Sequence, residues 1–184
     1  GVVLADCDYG NKTAFRDALD TMGLQYAVEV QSTTMVSSCI GNTGRLGDRM
    51  SVGELGAALQ SKLRTVTWRQ GTKAILRSRF ARIRVVVDRD DGPLRPPQWL
   101  LVEWPEDEPA PTKYVLSTMP KSTSCKQLVR TFKERWRIER SYEDLKGELG
   151  LDHYEGRSYI GWHHHVSVVL ACYAFLIAEH ARSF

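Results

Sequence analysis

Runs of apolar residues with strand and helix spacing divide the chain into recognisable elements. Val2 to Ala5 is a short apolar run ending at Asp6, which predicts a buried strand whose last residue carries a carboxylate. Asn11 can cap a helix through about Met22, with Gly23 as its terminator. Tyr26 to Val30 then alternates as a second strand. Strand, helix and strand within about 30 residues predict a crossover between parallel neighbours. That arrangement puts Asp6 at the carboxyl end of its strand, where α/β sheets keep their sites.

The next stretch changes character. Gln31 to Gly47 is small and polar and reads as a loop, and Ser51 with Glu54 three positions later forms a capping box for a short helix to about Gln60. Leu63 to Trp68, Ile75 to Val87, Trp99 to Trp104 and Lys113 to Ser117 have strand patterns, separated by turn signals such as Asp90, Asp91, Gly92 and Pro93. Residues 32–118 are therefore expected to form a mainly β insertion between a first part, 1–31, and a last part, 119–184. Its acidic, proline-rich tip, Glu103 to Pro111, reads as an exposed loop.

Pro120 introduces a long helix capped by Ser122 or Ser124. At about 100° per residue, Leu128, Phe132, Trp136, Ile138, Tyr142, Leu145 and Leu149 gather on one side of it. Arg135, Glu139 and Lys146 fall near the middle of that apolar stripe. An ionised Glu139 left there unpaired would cost roughly several kcal/mol, so a partner is expected. Two partners fit: Arg135, one helical turn away, or a divalent cation shared with an acid from elsewhere, which leaves Arg135 and Lys146 for phosphates. Gly147 and Gly150 loosen the end of this helix. A final helix from about Gly161 to Arg182 is strongly apolar and is expected to pack across the core.

Size and composition narrow the classes. The 184 residues suffice for one domain, or for a core with an inserted subdomain. Unbroken apolar runs of about 18 residues are missing, which argues against a membrane span, and the start lacks the charged region of a signal peptide. Gly1 in place of Met suggests a piece cut from a longer protein. Cys7, Cys39, Cys125 and Cys172 are scattered, without a CxxC pair or a disulfide spacing, as in proteins of a reducing compartment. A net charge of +3 says little by itself. Between Lys62 and Arg89, however, nine Lys or Arg stand against the single acid Asp88. Such a segment could follow a phosphate backbone or form a solvated sheet face.

Asp6 and Glu139 are the first candidate constellation. An acid at a strand end and another on a later helix can supply oxygen ligands for two Mg²⁺ or Mn²⁺ ions about 4 Å apart, the arrangement used for phosphoryl transfer. Asp8 competes with Asp6, although a turn residue before Tyr9 and Gly10 is also expected there. The histidines His153, His163, His164 and His165 are a poorer metal site. Three consecutive side chains on a helix point about 100° apart, and an i, i+4 pair is missing. They are expected to cap and pack the start of the last helix or to touch DNA.

The series Arg135, three residues, Glu139, six residues, Lys146 resembles the Y-R-E-K signature of DDE transposases from bacterial insertion sequences. Leu4 to Gly10, LADCDYG, is similar to that family's second-aspartate motif, an apolar strand ending in Asp and followed closely by Tyr and Gly. Both motifs occur in the family's order, with a β-rich segment between them, and the resemblance spans nearly the whole chain. It implies a ribonuclease H-like α/β core interrupted by a β insertion, with Asp6 as the second acid of a catalytic triad and Glu139 as the third. It also implies metal-dependent DNA strand cleavage and strand transfer, with Mg²⁺ or Mn²⁺ held by Asp6 and Glu139 and DNA phosphates met by Arg135 and Lys146. Trp68, Trp99 and Trp104 are each expected first as core packing of the insertion, and among them Trp104 is the candidate for stacking on a base flipped from a transposon end.

The chain departs from the family pattern in three places. Phe132 replaces the signature tyrosine, Asp8 stands where a small residue is common, and no residue before Asp6 can supply the first aspartate. The expectation is therefore a C-terminal catalytic fragment, incomplete alone. The competing expectation is a non-catalytic DNA-binding remnant. The partners implied are transposon-end and target DNA, with a homodimer on paired ends, and neither a membrane nor a small-molecule substrate. The location implied is the bacterial cytoplasm, at the nucleoid.

Overall fold

In a computed structural model, residues 1–41, 44–70, 75–88 and 95–183 are described. The expected turn at Asp90 to Pro93, together with Lys73 and Arg89, lies outside them. The chain divides into two compact units, Gly1–Glu134 and Arg135–Phe184.

The first unit is built on one eight-stranded sheet of β1 (Val2–Ala5), β2 (Gln25–Val30), β3 (Met35–Ile40), β4 (Arg45–Ser51), β5 (Arg64–Gln70), β6 (Ile75–Val87), β7 (Gln98–Glu103) and β8 (Lys113–Ser117), ordered β1-β2-β8-β7-β6-β3-β4, with β5 paired to β6 beside β3. As the sequence suggests, β1 (Val2–Ala5) and β2 (Gln25–Val30) are parallel, in the register Val2 to Gln25 through Ala5 to Val28. All other pairs are antiparallel. The strands of residues 32–118 extend the sheet begun by β1 and β2, because β8 (Lys113–Ser117) pairs directly with β2.

Helices cover both sheet faces, so the inner strands β7 (Gln98–Glu103) and β8 are buried along almost their whole length. On one face, α2 (Thr13–Thr21) and α3 (Val52–Ala58) lie over Tyr26, Val28, Val85, Leu100 and Leu116. On the other, α4 (Cys125–Lys133) lays Leu128, Val129 and Phe132 on Phe80, Trp99, Leu101 and Val115. The expected Ser51–Glu54 capping box forms, and of the two candidate caps Ser124 is the one used, in a second capping box with Gln127.

Three local expectations are corrected. Asn11 does not cap α2. It follows a four-residue helix, α1 (Cys7–Gly10), and its Oδ1 accepts from the Gln31 N–H at 2.8 Å, stapling the turn to the end of β2. Part of the expected loop at 31–47 forms β3 (Met35–Ile40) and the start of β4 (Arg45–Ser51). Its serines and cysteine hid a strand that exists through pairing, with fully buried Val36 opposite Val87 of β6 (Ile75–Val87). The long helix is interrupted at Glu134 and Arg135, so α4 and α5 (Trp136–Gly147) are separate. An unbroken apolar stripe cannot reveal a lapse in the backbone ladder.

In the second unit, Gly150 adopts φ +66° after α5, and the Leu151 N–H returns to the Leu145 carbonyl at 2.9 Å. The last helix, α6 (Tyr159–Arg182), is capped by Ser158 and tied to α5 by the Tyr173 hydroxyl donating to Ser141 at 3.0 Å. Along α6 Val169 is buried, while Tyr159, Ile160, Phe175, Leu176 and Ile177 are exposed. By length and composition alone this helix could cross a membrane, a test that helices covered by protein also pass.

Candidate active site

Asp6 follows β1 directly and caps α1. Its Oδ1 accepts from the backbone N–H groups of Asp8 at 3.1 Å and Tyr9 at 3.4 Å. This is ordinary capping chemistry, but it uses one carboxylate oxygen. Among the described residues, Oδ2 has no hydrogen-bond partner. The turn places Asp8 on the exposed side of α1, away from the strand end.

The turn is unusually constrained for so short a helix. Gly10 N–H closes on the Asp6 carbonyl at 2.8 Å. A Cβ at Gly10 would stand 1.9 Å from the Glu29 carbonyl oxygen of β2, so only glycine permits this approach. Arg16 of α2 donates through Nη1 to the Gly10 carbonyl and through Nη2 to Thr13 Oγ1 at 3.2 Å. Behind it, buried Arg95 pairs with Asp17 and Asp20 and donates to the Tyr26 hydroxyl at 3.1 Å. Burial, reinforced by the Arg95 charge, lowers the Arg16 pKa. Burial first and the Asp20 carboxylate second raise that of Tyr26 above its ordinary 10.0.

Sequence reasoning passed over Arg16 and Arg95. Arg16 carried a usable signal, because it lies one turn from Leu19 at the margin of an apolar stripe. Arg95 carried none.

Glu139 lies in the first turn of α5, in the second unit. Contrary to the inward position expected from the stripe, its side chain is 50% exposed and pairs with Arg135 at 2.8 Å. The i, i+4 ion pair is therefore formed. Lys146 is exposed near the end of the same helix. Eleven residues make about three turns, so Arg135 and Lys146 share one side of α5 with Glu139 between them.

Most arginines in the basic segment that can be followed have structural partners. Arg79 donates to the Trp104 and Pro105 carbonyls at 3.2 and 3.0 Å, Arg82 to the Thr123 carbonyl, and Arg84 to that of Pro97. Arg82 and Arg84 also lie over the Trp99 ring, at 4.3 and 5.1 Å from its centroid. Trp104 is 8% exposed, with Nε1 donating to the Glu108 carbonyl at 2.9 Å. In this arrangement its indole is a packed anchor for the acidic loop. Nearby, Lys133 pairs with buried Glu103 at 2.8 Å and lies 4.5 Å from the Trp68 ring centroid.

The histidines also have local roles. His165 Nε2 is 3.0 Å from the Gly150 carbonyl, while His163 meets the rings of Tyr159 and Trp162 edge-on. Among the described residues, no group of three His, Cys, Asp or Glu could hold a metal ion. The donor chemistry of Asp6 nevertheless fits a hard divalent cation, because Oδ2 is a carboxylate oxygen with its partner position open.

A family model described as a transposase DDE domain matches residues 1–175. No curated protein matches the chain.

Proposed function

Because the chain belongs to the transposase DDE domain family, whose members act on DNA and generally depend on divalent metal, we propose that it carries two of the three acids of a DNA-cleaving centre, Asp6 and Glu139. Residues 1–31 and 119–184 are then two parts of a ribonuclease H-like core, and residues 32–118 its β insertion. The observation that carries the reading is Asp6, at the carboxyl end of a parallel strand with one oxygen fixed by backbone amides and the other open. The Arg135, Glu139 and Lys146 series supports a place in the Y-R-E-K group of bacterial insertion sequences, acting on nucleoid DNA in the cytoplasm.

Asp6 and Glu139 would hold Mg²⁺ or Mn²⁺, which supplies activation of the attacking oxygen and stabilisation of the leaving one. The chain's own residues prepare the site. The α1 amides orient Asp6, and Arg135 holds the Glu139 carboxylate in an ion pair on α5. Arg135 and Lys146, on the same side of α5, would meet DNA phosphates. Trp104 joins them as a base-stacking residue if the loop following it opens and releases its indole. A homodimer holds the paired transposon ends.

In the intact enzyme, Mg²⁺ should support nicking of terminal-repeat DNA, and Asp6→Asn and Glu139→Gln should each abolish it while leaving the fold intact. Full cleavage by Glu139→Gln would overturn the assignment. The Arg135–Glu139 pair favours a second reading, a DNA-binding remnant in which that pair is permanent. Salt-dependent DNA binding without metal-dependent nicking by the intact wild-type protein would select it.

A further inference from the structure

The turn bearing Asp6 is held at both ends by different elements. At its start, the Asp6 side chain caps α1. At its end, the Gly10 carbonyl receives the Arg16 Nη1–H, and Gly10 abuts β2 so closely that a Cβ there would meet the Glu29 carbonyl. The next residue, Asn11, bonds to Gln31 beyond β2. Arg16 itself is immobilised. It is 3% exposed, on a helix that Arg95 anchors through Asp17, Asp20 and the Thr13 carbonyl.

Packing alone does not call for an arginine here. A buried guanidinium carries a large desolvation cost, and the identified acceptors of Arg16 Nη1 and Nη2 are neutral oxygens. What the guanidinium adds is a directional hold on the carbonyl that ends the Asp6 turn. We propose that Arg16 is a positioning residue for Asp6, which fixes α1 through the Gly10 carbonyl and so sets the direction in which Asp6 Oδ2 meets a divalent cation. The proposal rests on the reading of Asp6 as a metal ligand. Residues that orient metal ligands from behind typically change metal affinity by about 10- to 100-fold when replaced.

Mn²⁺ titration of the intact protein tests this, read as paramagnetic broadening of the Asp8, Tyr9 and Gly10 amide signals and independent of cleavage. Arg16→Gln should raise the Mn²⁺ midpoint about tenfold, and Arg16→Lys, which keeps a cationic donor, should recover part of the loss. Asp6→Asn should remove the broadening altogether. A folded Arg16→Gln protein with the wild-type midpoint overturns the positioning role even if its melting temperature falls, since a purely structural arginine changes stability alone. Should Arg16→Gln fail to fold, Thr13→Val decides: removing the Nη2 acceptor should raise the midpoint severalfold, and an unchanged midpoint overturns the proposal. Unaltered broadening in Asp6→Asn overturns the metal-site reading itself. Lost broadening in Asp6→Asn with an unchanged midpoint in Arg16→Gln overturns only the role of Arg16.

Discussion

The two units bury their apolar residues very differently. In Gly1–Glu134 the central strands are covered on both faces, and Leu100, Val102 and Leu116 have no exposed surface. In Arg135–Phe184 the most apolar helix of the chain exposes Ile160, Phe175, Leu176 and Ile177 and buries only Val169. The candidate acids differ in the same sense. Asp6 is held by main-chain amides against a packed sheet, whereas Glu139 is held by one side chain on an exposed helix surface. Backbone capping at a strand end sets direction, while an exposed i, i+4 pair is exchangeable, worth about 0.3–0.5 kcal/mol. One acid is suited to orientation and the other to switching partners.

Substitutions that probe burial should separate the units most sharply. Leu100→Ala should destabilise the first unit by about 3–4 kcal/mol in chemical denaturation, as expected for a fully buried leucine. A loss below about 1 kcal/mol would mean that the sheet centre is loosely packed. Arg95→Met should cost about 2–3 kcal/mol, reduced from the usual penalty for breaking a buried pair because Asp17 and Asp20 retain solvent. Its urea midpoint, compared with that of Asp17→Asn/Asp20→Asn, would show whether the network or the charge matters.

Alkaline pH offers a subtler test. The Tyr26 pKa is raised in the folded state, chiefly by burial. Its contribution is therefore complete below the unfolded value near 10.0 and is lost as pH rises through the higher folded value. Stability should hold to about pH 9 and fall by about pH 11, with a shallower fall in Tyr26→Phe. Ser51→Ala should cost about 1 kcal/mol by removing one arm of a capping box. Smallest of all, Leu176→Ala should change stability by less than about 0.5 kcal/mol. A loss of about 2 kcal/mol or more there would break the comparison by showing that the exposed face of α6 is covered in solution.

Local signals made much of the fold legible. Val2 to Ala5, Ile75 to Val87 and Lys113 to Ser117 became strands with those bounds, since their alternation or unbroken apolarity answers to one or two buried faces. Ser51 with Glu54 and Ser124 with Gln127 are self-contained caps, readable because both partners lie within four residues. The small, polar Ser37 to Cys39 gave no such signal, because their strand is specified by its neighbours. The partners of the arginines in the basic run between Lys62 and Arg89 were illegible for a related reason. Composition counts charges but does not reveal that Arg79, Arg82 and Arg84 reach carbonyls from distant segments.

The sequence by itself determined most of the element types, the parallel pair, the family and the position of Asp6 at a strand end, all of which depend on residues close together or on a motif in fixed order. Only the tertiary structure decided which partners the charged groups take. It gave Arg16 to the Gly10 carbonyl, Arg95 to Asp17 and Asp20, and Trp104 to the Glu108 carbonyl, and left Glu139 with Arg135 on an open helix face. A long charged or aromatic side chain reaches across several backbone spacings, so its partner is fixed by the path of the whole chain.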